Sequence, residues 1–289
     1  MIIGQITDFH VTTPGGEADR RYRTAEHLEA AVAHLNALAV RPDVVVATGD
    51  LVDGGTVEEY QRLRRLLEPL TMPVYLIPGN HDDRANLRTV FSDHSYLPRE
   101  GPFLHYAVED HPLRLLALDT VVPGEIGGAL CEARLAWIEA RLTAAPPRPT
   151  FVFMHHPPFR TGVGWSDGAA GLGGADPFGE TVSRHPEIER IVCGHVHRPI
   201  QAHWRGTVAS TAPATAHQLV LALGPASKIA AVMEPPACQL HLWAARRGRG
   251  QPHQLHWRVR DALRRLNPTG SCGSHWGAPR PPRRAFWSR

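Results

Sequence analysis

Five short motifs in this chain place metal-type donors directly after short apolar runs. They are Asp8-Phe9-His10, Gly49-Asp50, Gly79-Asn80-His81-Asp82, His155-His156-Pro157 and Gly194-His195-Val196-His197. Together they offer carboxylate, amide oxygen and imidazole, with no thiolate. Such donors suit Fe, Mn, Zn or Co and argue against a structural thiolate zinc site. The candidate ligands are Asp8, His10, Asp50, Asn80, His155, His195 and His197. That is too many for one ordinary ion and suits two ions sharing one carboxylate. Two ions roughly 3.5–4 Å apart form the clamp used to hydrolyse phosphate esters. Asp50 is the best candidate for the shared carboxylate.

The runs that carry these motifs are Ile2-Ile3-Gly4-Gln5-Ile6, Val44-Val45-Val46-Ala47, Val74-Tyr75-Leu76-Ile77, Phe151-Val152-Phe153-Met154 and Ile191-Val192-Cys193. Short and rich in β-branched residues, they predict buried strands. Open α/β sheets hold ligands at their strand ends. In extended backbone, residues two apart point to the same side, which pairs Asp8 with His10 and His195 with His197. Adjacent residues point apart, so His155 and His156 are not expected to enter one site together. His81 is poorly placed to join Asn80 on one ion and is assigned to the substrate phosphate, as hydrogen-bond donor or general acid. Asp82 is expected to orient His81 or to cap the helix that follows. Asp53 reads as a loop or capping residue.

Around these runs, 24–38 predicts a helix with Leu28, Val32, Leu35 and Leu38 near a 3.6-residue period. Thr56 and Glu59 have the spacing of a capping box at the start of a second helix. Residues 43–47 and 114–118 read as strands and 132–142 as a helix. This alternation implies α/β with a largely buried sheet. Residues 160–185, punctuated by glycines and holding Trp165 and Phe178, read as a long loop: a flap over the substrate or a subunit contact. Further strands are expected at 201–204, 207–210, 219–223 and, last, 237–243.

The motifs jointly resemble the signature of the calcineurin-like metallophosphoesterases. The forms Gly-Asn-His-Asp-Asp (79–83), Met-His-His-Pro-Pro (154–158) and Gly-His-Val-His (194–197) are similar to the branch holding class III cyclic-nucleotide phosphodiesterases and glycerophosphodiesterases. The resemblance covers roughly residues 1 to 244. It implies a four-layer α/β/β/α sandwich of two mixed sheets flanked by helices. It implies one ion held by Asp8, His10, Asp50 and His197, and a second by Asp50, Asn80, His155 and His195. The His-x-Pro form of the motif selects His155 over His156. The implied reaction is attack of a metal-bound hydroxide on a small phosphodiester, a cyclic nucleotide or a glycerophosphodiester. His81 and His217 would stabilise charge or protonate the leaving group. Phosphomonoesterase or nuclease activity, or a non-catalytic metal-binding scaffold, are the rival readings.

Composition bounds the partners. The 289 residues are 43% hydrophobic and 20% charged, an ordinary globular mix. No apolar run reaches the roughly 20 residues of a membrane helix, and no membrane partner is expected. Strand and ligand follow Met1 so closely that no cleaved leader is expected. The four cysteines show no metal spacing and read as reduced thiols of a cytoplasmic protein. Residues 1–244 carry 20 Lys and Arg against 27 Asp and Glu; residues 245–289 carry 11 against 1. An acidic body disfavours nucleic acid as a substrate. The basic stretch 245–289 is expected to be a poorly ordered tail outside the domain. A homo-oligomer, dimer or higher, is expected.

Overall fold

The computed structural model describes residues 1–144, 146–224 and 229–244, and the backbone of 255–259. Each apolar run that precedes a motif forms a strand. In chain order the strands of the two large sheets are β1 (Ile2–Ile6), β2 (Val44–Thr48), β3 (Val74–Ile77), β4 (Tyr106–Val108), β5 (Arg114–Leu118), β6 (Thr150–Met154), β7 (Ile188–Cys193), β8 (Ile200–Trp204), β9 (Thr207–Thr211), β10 (Cys238–Leu242) and β11 (Leu255–Val259). The first sheet runs β11-β10-β1-β2-β3 and the second β8-β9-β7-β6-β5-β4. Within the first, β1, β2 and β3 are parallel, and within the second, β5, β6, β7 and β9 are parallel. Antiparallel strands flank both groups, so both sheets are mixed.

Alternating side chains explain the layering. In β5 and β6, Leu115, Ala117, Phe151 and Phe153 join the core between the sheets. Their neighbours Leu116, Leu118, Val152 and Met154 pack outward against Ile138 and Leu142 of the helix Glu132–Thr143 and Phe178 and Val182 of the helix Ala175–Arg184. A strand buried on both faces needs cover on both, which a second sheet and a helix layer supply. On the other flank, Leu28, Val32 and Leu35 of the helix Thr24–Ala37 and Tyr60 and Leu63 of the helix Val57–Leu67 cover the first sheet. The result is the expected α/β/β/α sandwich. Truncating Leu116 to Ala in such a core costs about 2–5 kcal/mol.

Local signals hold in detail. Glu59 N donates to Thr56 Oγ1 at 3.3 Å and Thr56 N to Glu59 Oε2 at 3.1 Å, a complete capping box. Asp83, not Asp82, caps the helix Arg84–Val90, accepting from Asn86 N. Segment 160–185 is more ordered than its glycines suggested. It contains the helix Ala175–Arg184, whose Phe178 and Val182 are core residues, and a two-residue strand at Leu172–Gly173 paired with Gly128–Ala129. The backbone of β11 pairs antiparallel with β10, one strand beyond the expected last one. Its sequence, Leu-His-Trp-Arg-Val, alternates apolar and polar residues, a short period-two signal inside a stretch expected to be poorly ordered. The remainder of the expected tail lies outside the described residues. Among the described residues no helix is long and apolar enough to cross a membrane, and Cys131, Cys193 and Cys238 are free thiols.

Candidate metal centre

All seven candidate donors follow parallel strands and meet at one end of the sandwich. Asp8 and His10 follow β1, Asp50 follows β2 and Asn80 follows β3; His155 follows β6, and His195 and His197 follow β7. The first sheet thus contributes four donors and the second three. The backbone reaches them through sharp turns rather than extended chain. Asp8, His10, Asp50, His195 and His197 have φ of 53°, 47°, 48°, 70° and 52°. Non-glycine residues rarely adopt this left-handed region, and a cluster of them marks strain held for function. The expectation that paired donors share a side through strand alternation is therefore corrected. They converge because each sits in a left-handed turn, fixed by bonds such as Asp8 N to Gly49 O and His10 N to Asp50 O, both 3.0 Å. Glycine precedes three of the donors for a steric reason. A Cβ on Gly79 would overlap the Asp50 carboxylate, and one on Gly194 would overlap Thr7 Oγ1.

Two donor groups are separable. Asp8, His10, Asp50 and His197 offer ligand atoms that all lie within 4.8 Å of one another. His197 Nε2 lies 3.4 Å from Asp8 Oδ1 and 3.3 Å from His10 Nε2. His155 Nε2 lies 3.3 Å from Asp50 Oδ1 and 3.1 Å from Asn80 Oδ1, which is also 3.1 Å from His195 Nδ1. Asp50 belongs to both groups, one oxygen turned to each.

Each imidazole is oriented from outside. His155 Nδ1 donates to Thr48 O at 2.8 Å, His197 Nδ1 to His217 O at 3.0 Å, His195 Nε2 to Ala170 O at 3.0 Å and His10 Nδ1 to Asp53 Oδ1 at 3.2 Å. These acceptors place a hydrogen on the outer nitrogen and leave the inner one as a lone pair in the neutral ring, the tautomer a metal ligand needs. His10 Nε2 and His197 Nε2 then face each other, as do His195 Nδ1 and the Asn80 oxygen. Asp8 Oδ2 is buried without a hydrogen-bond partner. Facing lone pairs and an orphaned carboxylate oxygen repel unless a cation lies between them, so the residues fit metal ions.

The electrostatics agree. Burial pushes the Asp50 carboxyl up, but His155, His81 and His10 outweigh it and hold it well below the usual range. His155 is lowered by burial and raised more strongly by Asp50 and Asp8, to about 9. Burial, with His156 and His155 alongside, drives His195 well down. Burial likewise takes His197 to about 4 against the pull of Asp8.

The remaining predicted residues sort by contact. His156 is fully buried, with Nδ1 2.7 Å from Thr120 Oγ1 and Nε2 3.0 Å from Ile126 O, so both ring nitrogens are engaged. Asp82 neither orients His81 nor caps a helix. It accepts from Leu51 N, Val52 N, Gly79 N and Tyr60 Oη, tying the β2 and β3 turns together. Asp53 is more than a loop residue: its carboxylate holds His10 and its carbonyl accepts from His81 Nδ1 at 2.8 Å. That leaves His81 Nε2 for a group in front of the cluster. His217 stacks on Tyr22 with ring centroids 4.2 Å apart, and its ring lies 5.3 Å from that of His10.

A cavity of about 650 Å³ opens over the cluster. Besides His10, His81, His195, His197 and His217 it is lined by Arg21, Tyr22, Ile126, Trp165, Leu219 and Ile229. Trp165 belongs to the segment expected to form a flap over the substrate or a subunit contact; no motif in the sequence marked the other five. These wall residues come from the six-residue helix Glu17–Tyr22, the short helix Gly164–Asp167, the two-residue strand Gln218–Leu219 and separate loops, and share no spacing. A larger cavity, about 820 Å³, runs along β3 and β4 and contains none of the donors. The chemistry lies with the smaller one.

The family model of calcineurin-like phosphoesterases matches residues 1–199. The chain is 34% identical over 248 residues to a probable glycerophosphodiester phosphodiesterase, GpdQ, of Arcobacter nitrofigilis, covering 86% of this chain and 90% of that one. It is 30% identical to the 3′,5′-cyclic adenosine monophosphate phosphodiesterase CpdA of Escherichia coli K12, covering 74% and 76%. A dimetal phosphatase of Danio rerio shares the fold, with a TM-score of 0.59 at 16% identity over 83% of this chain and 92% of that one.

Proposed function

Since the chain belongs to the calcineurin-like phosphoesterase family, we propose that it is a dinuclear metal-dependent phosphodiesterase acting on small phosphodiesters, cyclic nucleotides or glycerophosphodiesters. The observation that carries this reading is the shared Asp50 between two donor groups. Asp8, His10, Asp50 and His197 would hold one ion, and Asp50, Asn80, His155 and His195 the other. Metal ions bound there would polarise the phosphoryl oxygens and bring a water's pKa near neutrality.

The chain's own residues supply the rest. Asp53 keeps the hydrogen of His81 on Nδ1 while the ring is neutral; when Nε2 is also protonated, His81 can pass that proton to a departing alkoxide. His217, stacked on Tyr22, closes one wall beside His10 and His197. Trp165 and Ile126 line the cavity and would limit water around a bound ester. The cationic residues near the motifs in sequence lie elsewhere. Arg198 pairs with Glu234, and the Arg160 side chain is 93% exposed. Among its lining residues the cavity holds five imidazoles and one guanidinium, that of Arg21, and so little fixed positive charge favours the monoanion of a diester over the dianion of a monoester. Relatives named as phosphodiesterases support the same choice.

The test is a substrate panel. Metal-depleted protein reloaded with Mn(II) is assayed against bis(p-nitrophenyl) phosphate, p-nitrophenyl phosphate, cyclic AMP and glycerophosphodiesters. A higher kcat/KM for the diesters is expected. A clear preference for the monoester would place the chain among phosphatases.

A further inference from the structure

The donors come from two sheets, so the separation of those sheets at one end decides whether the site assembles. Between the sheets the core is mostly apolar, and apolar packing tolerates small shifts. Gln5 is an exception. It lies on β1, the middle strand of the first sheet, and is fully buried. Its Nε2 donates to Thr48 Oγ1 at 3.1 Å and to Cys193 O at 2.9 Å. Thr48 ends β2, two residues before Asp50, and Cys193 ends β7, two residues before His195. One amide nitrogen therefore joins the two strand ends that enter the site from opposite sheets. The orientation of that amide is set as well. His241 of β10 lies with Nε2 3.0 Å from Gln5 Oε1, and only its N–H can face a carbonyl oxygen. A reversed amide would set oxygen against the Cys193 carbonyl.

We propose that Gln5, oriented by His241, is a positioning residue: a cross-sheet strut that sets the spacing of Asp50 and Asn80 on the first sheet against His155 and His195 on the second. This rests on the two-ion reading above. The second donor group draws two residues from each sheet, whereas the first draws Asp8, His10 and Asp50 from one sheet and only His197 from the other. Loosening the strut should therefore disturb the second group most. Gln5 touches none of the donor atoms directly, so its replacement changes spacing without removing a donor. Gln239 is an internal control. Its Nε2 also crosses the sandwich, to Thr211 O at 3.3 Å, but Thr211 ends β9, which carries no donor.

The experiment compares wild type, Gln5→Met and Gln239→Met in Mn(II) titrations, with electron paramagnetic resonance of the loaded proteins and thermal unfolding of each. Wild type must first bind two ions with an exchange-coupled spectrum; if it does not, the two-ion reading itself fails. Given that, Gln5→Met should bind the second ion about tenfold or more weakly, the range outer-sphere changes produce. Its coupled signal should give way to that of isolated Mn(II), with the first ion retained. Gln239→Met should keep both ions and the coupled spectrum. Equal loss in both glutamine variants would mean general loosening of the core and overturn the strut, as would a Gln5→Met protein with wild-type affinities. Should Gln5→Met fail to fold, His241→Leu, which frees the amide while keeping Gln5, must show the same selective weakening; an unchanged second site there would also overturn it.

Discussion

Asp50 Oδ1 lies 3.3 Å from His155 Nε2, and the two residues belong to different sheets. The other oxygen of Asp50 lies 3.7 Å from His10 Nε2. One carboxylate therefore links both donor groups and both halves of the sandwich. Asp50→Ala removes a donor from each group. Metal content should fall below one ion per chain, and turnover should drop by more than the 10–100-fold typical of an outer-sphere change. Elemental analysis and kcat together check this; two retained ions with intact turnover would show that Asp50 does not bridge.

His155 and His156 separate cleanly. His155→Ala should weaken the second ion, because its inner nitrogen faces Asp50 and Asn80. His156→Ala should leave both ions bound. Its loss frees Thr120 and the Ile126 carbonyl, so the expected effect is on KM, through the cavity wall, and on stability, by about 1–3 kcal/mol for the buried groups left unpaired. The reverse order of metal loss in a Mn(II) titration would reassign the motif.

Metal loading should release a proton. In the metal-free protein His155 is raised to about 9, so it is protonated at neutral pH, and a cation at its Nε2 must displace that proton. The apparent affinity should therefore rise with pH up to about 9 and flatten above it, by up to tenfold per unit for one coupled proton. Calorimetric titration in buffers of different ionisation enthalpy at pH 7 reads the proton directly. An affinity independent of pH between 7 and 9 would contradict this picture of the Asp50–His155 pair.

His81 carries the leaving-group prediction. Its Nδ1 is tied to Asp53 O, and its ring packs edge-on against His10 at 4.6 Å. His81→Ala should keep both ions and lower kcat by about 100-fold for alkyl leaving groups, at the low end of general-acid effects, and only a few-fold for p-nitrophenolate. Equal losses for good and poor leaving groups would remove His81 from the proton-transfer role.

Much of this was legible in the chain because donors at strand ends combine two strong signals: β-branched runs and chemically unusual residues after them. Strand β5 and the Thr56–Glu59 capping box were readable for similar reasons, since a short apolar run and a capping pair are local signals. What escaped is tertiary. The left-handed turns at Asp8 and His10 arise from bonds to Gly49 and Asp50, more than thirty residues away. Asp53 looked like a loop residue because its partners, His10 and His81, become neighbours only on folding. Asp82 looked like a cap because nothing in sequence announces its bond to Tyr60. The helix Ala175–Arg184 was hidden by the glycines before it and by Gly179 within it, whose helix-breaking tendency is overridden by burial of Phe178 and Val182.

The central claim is that two ions act together, and the most direct test follows diester hydrolysis while metal-depleted protein is titrated with Mn(II). Hydrolysis of bis(p-nitrophenyl) phosphate should rise with added metal and level off at two equivalents of bound Mn(II) per chain. Saturation at one equivalent, or tight binding of two with no diester hydrolysis at any loading, would contradict it.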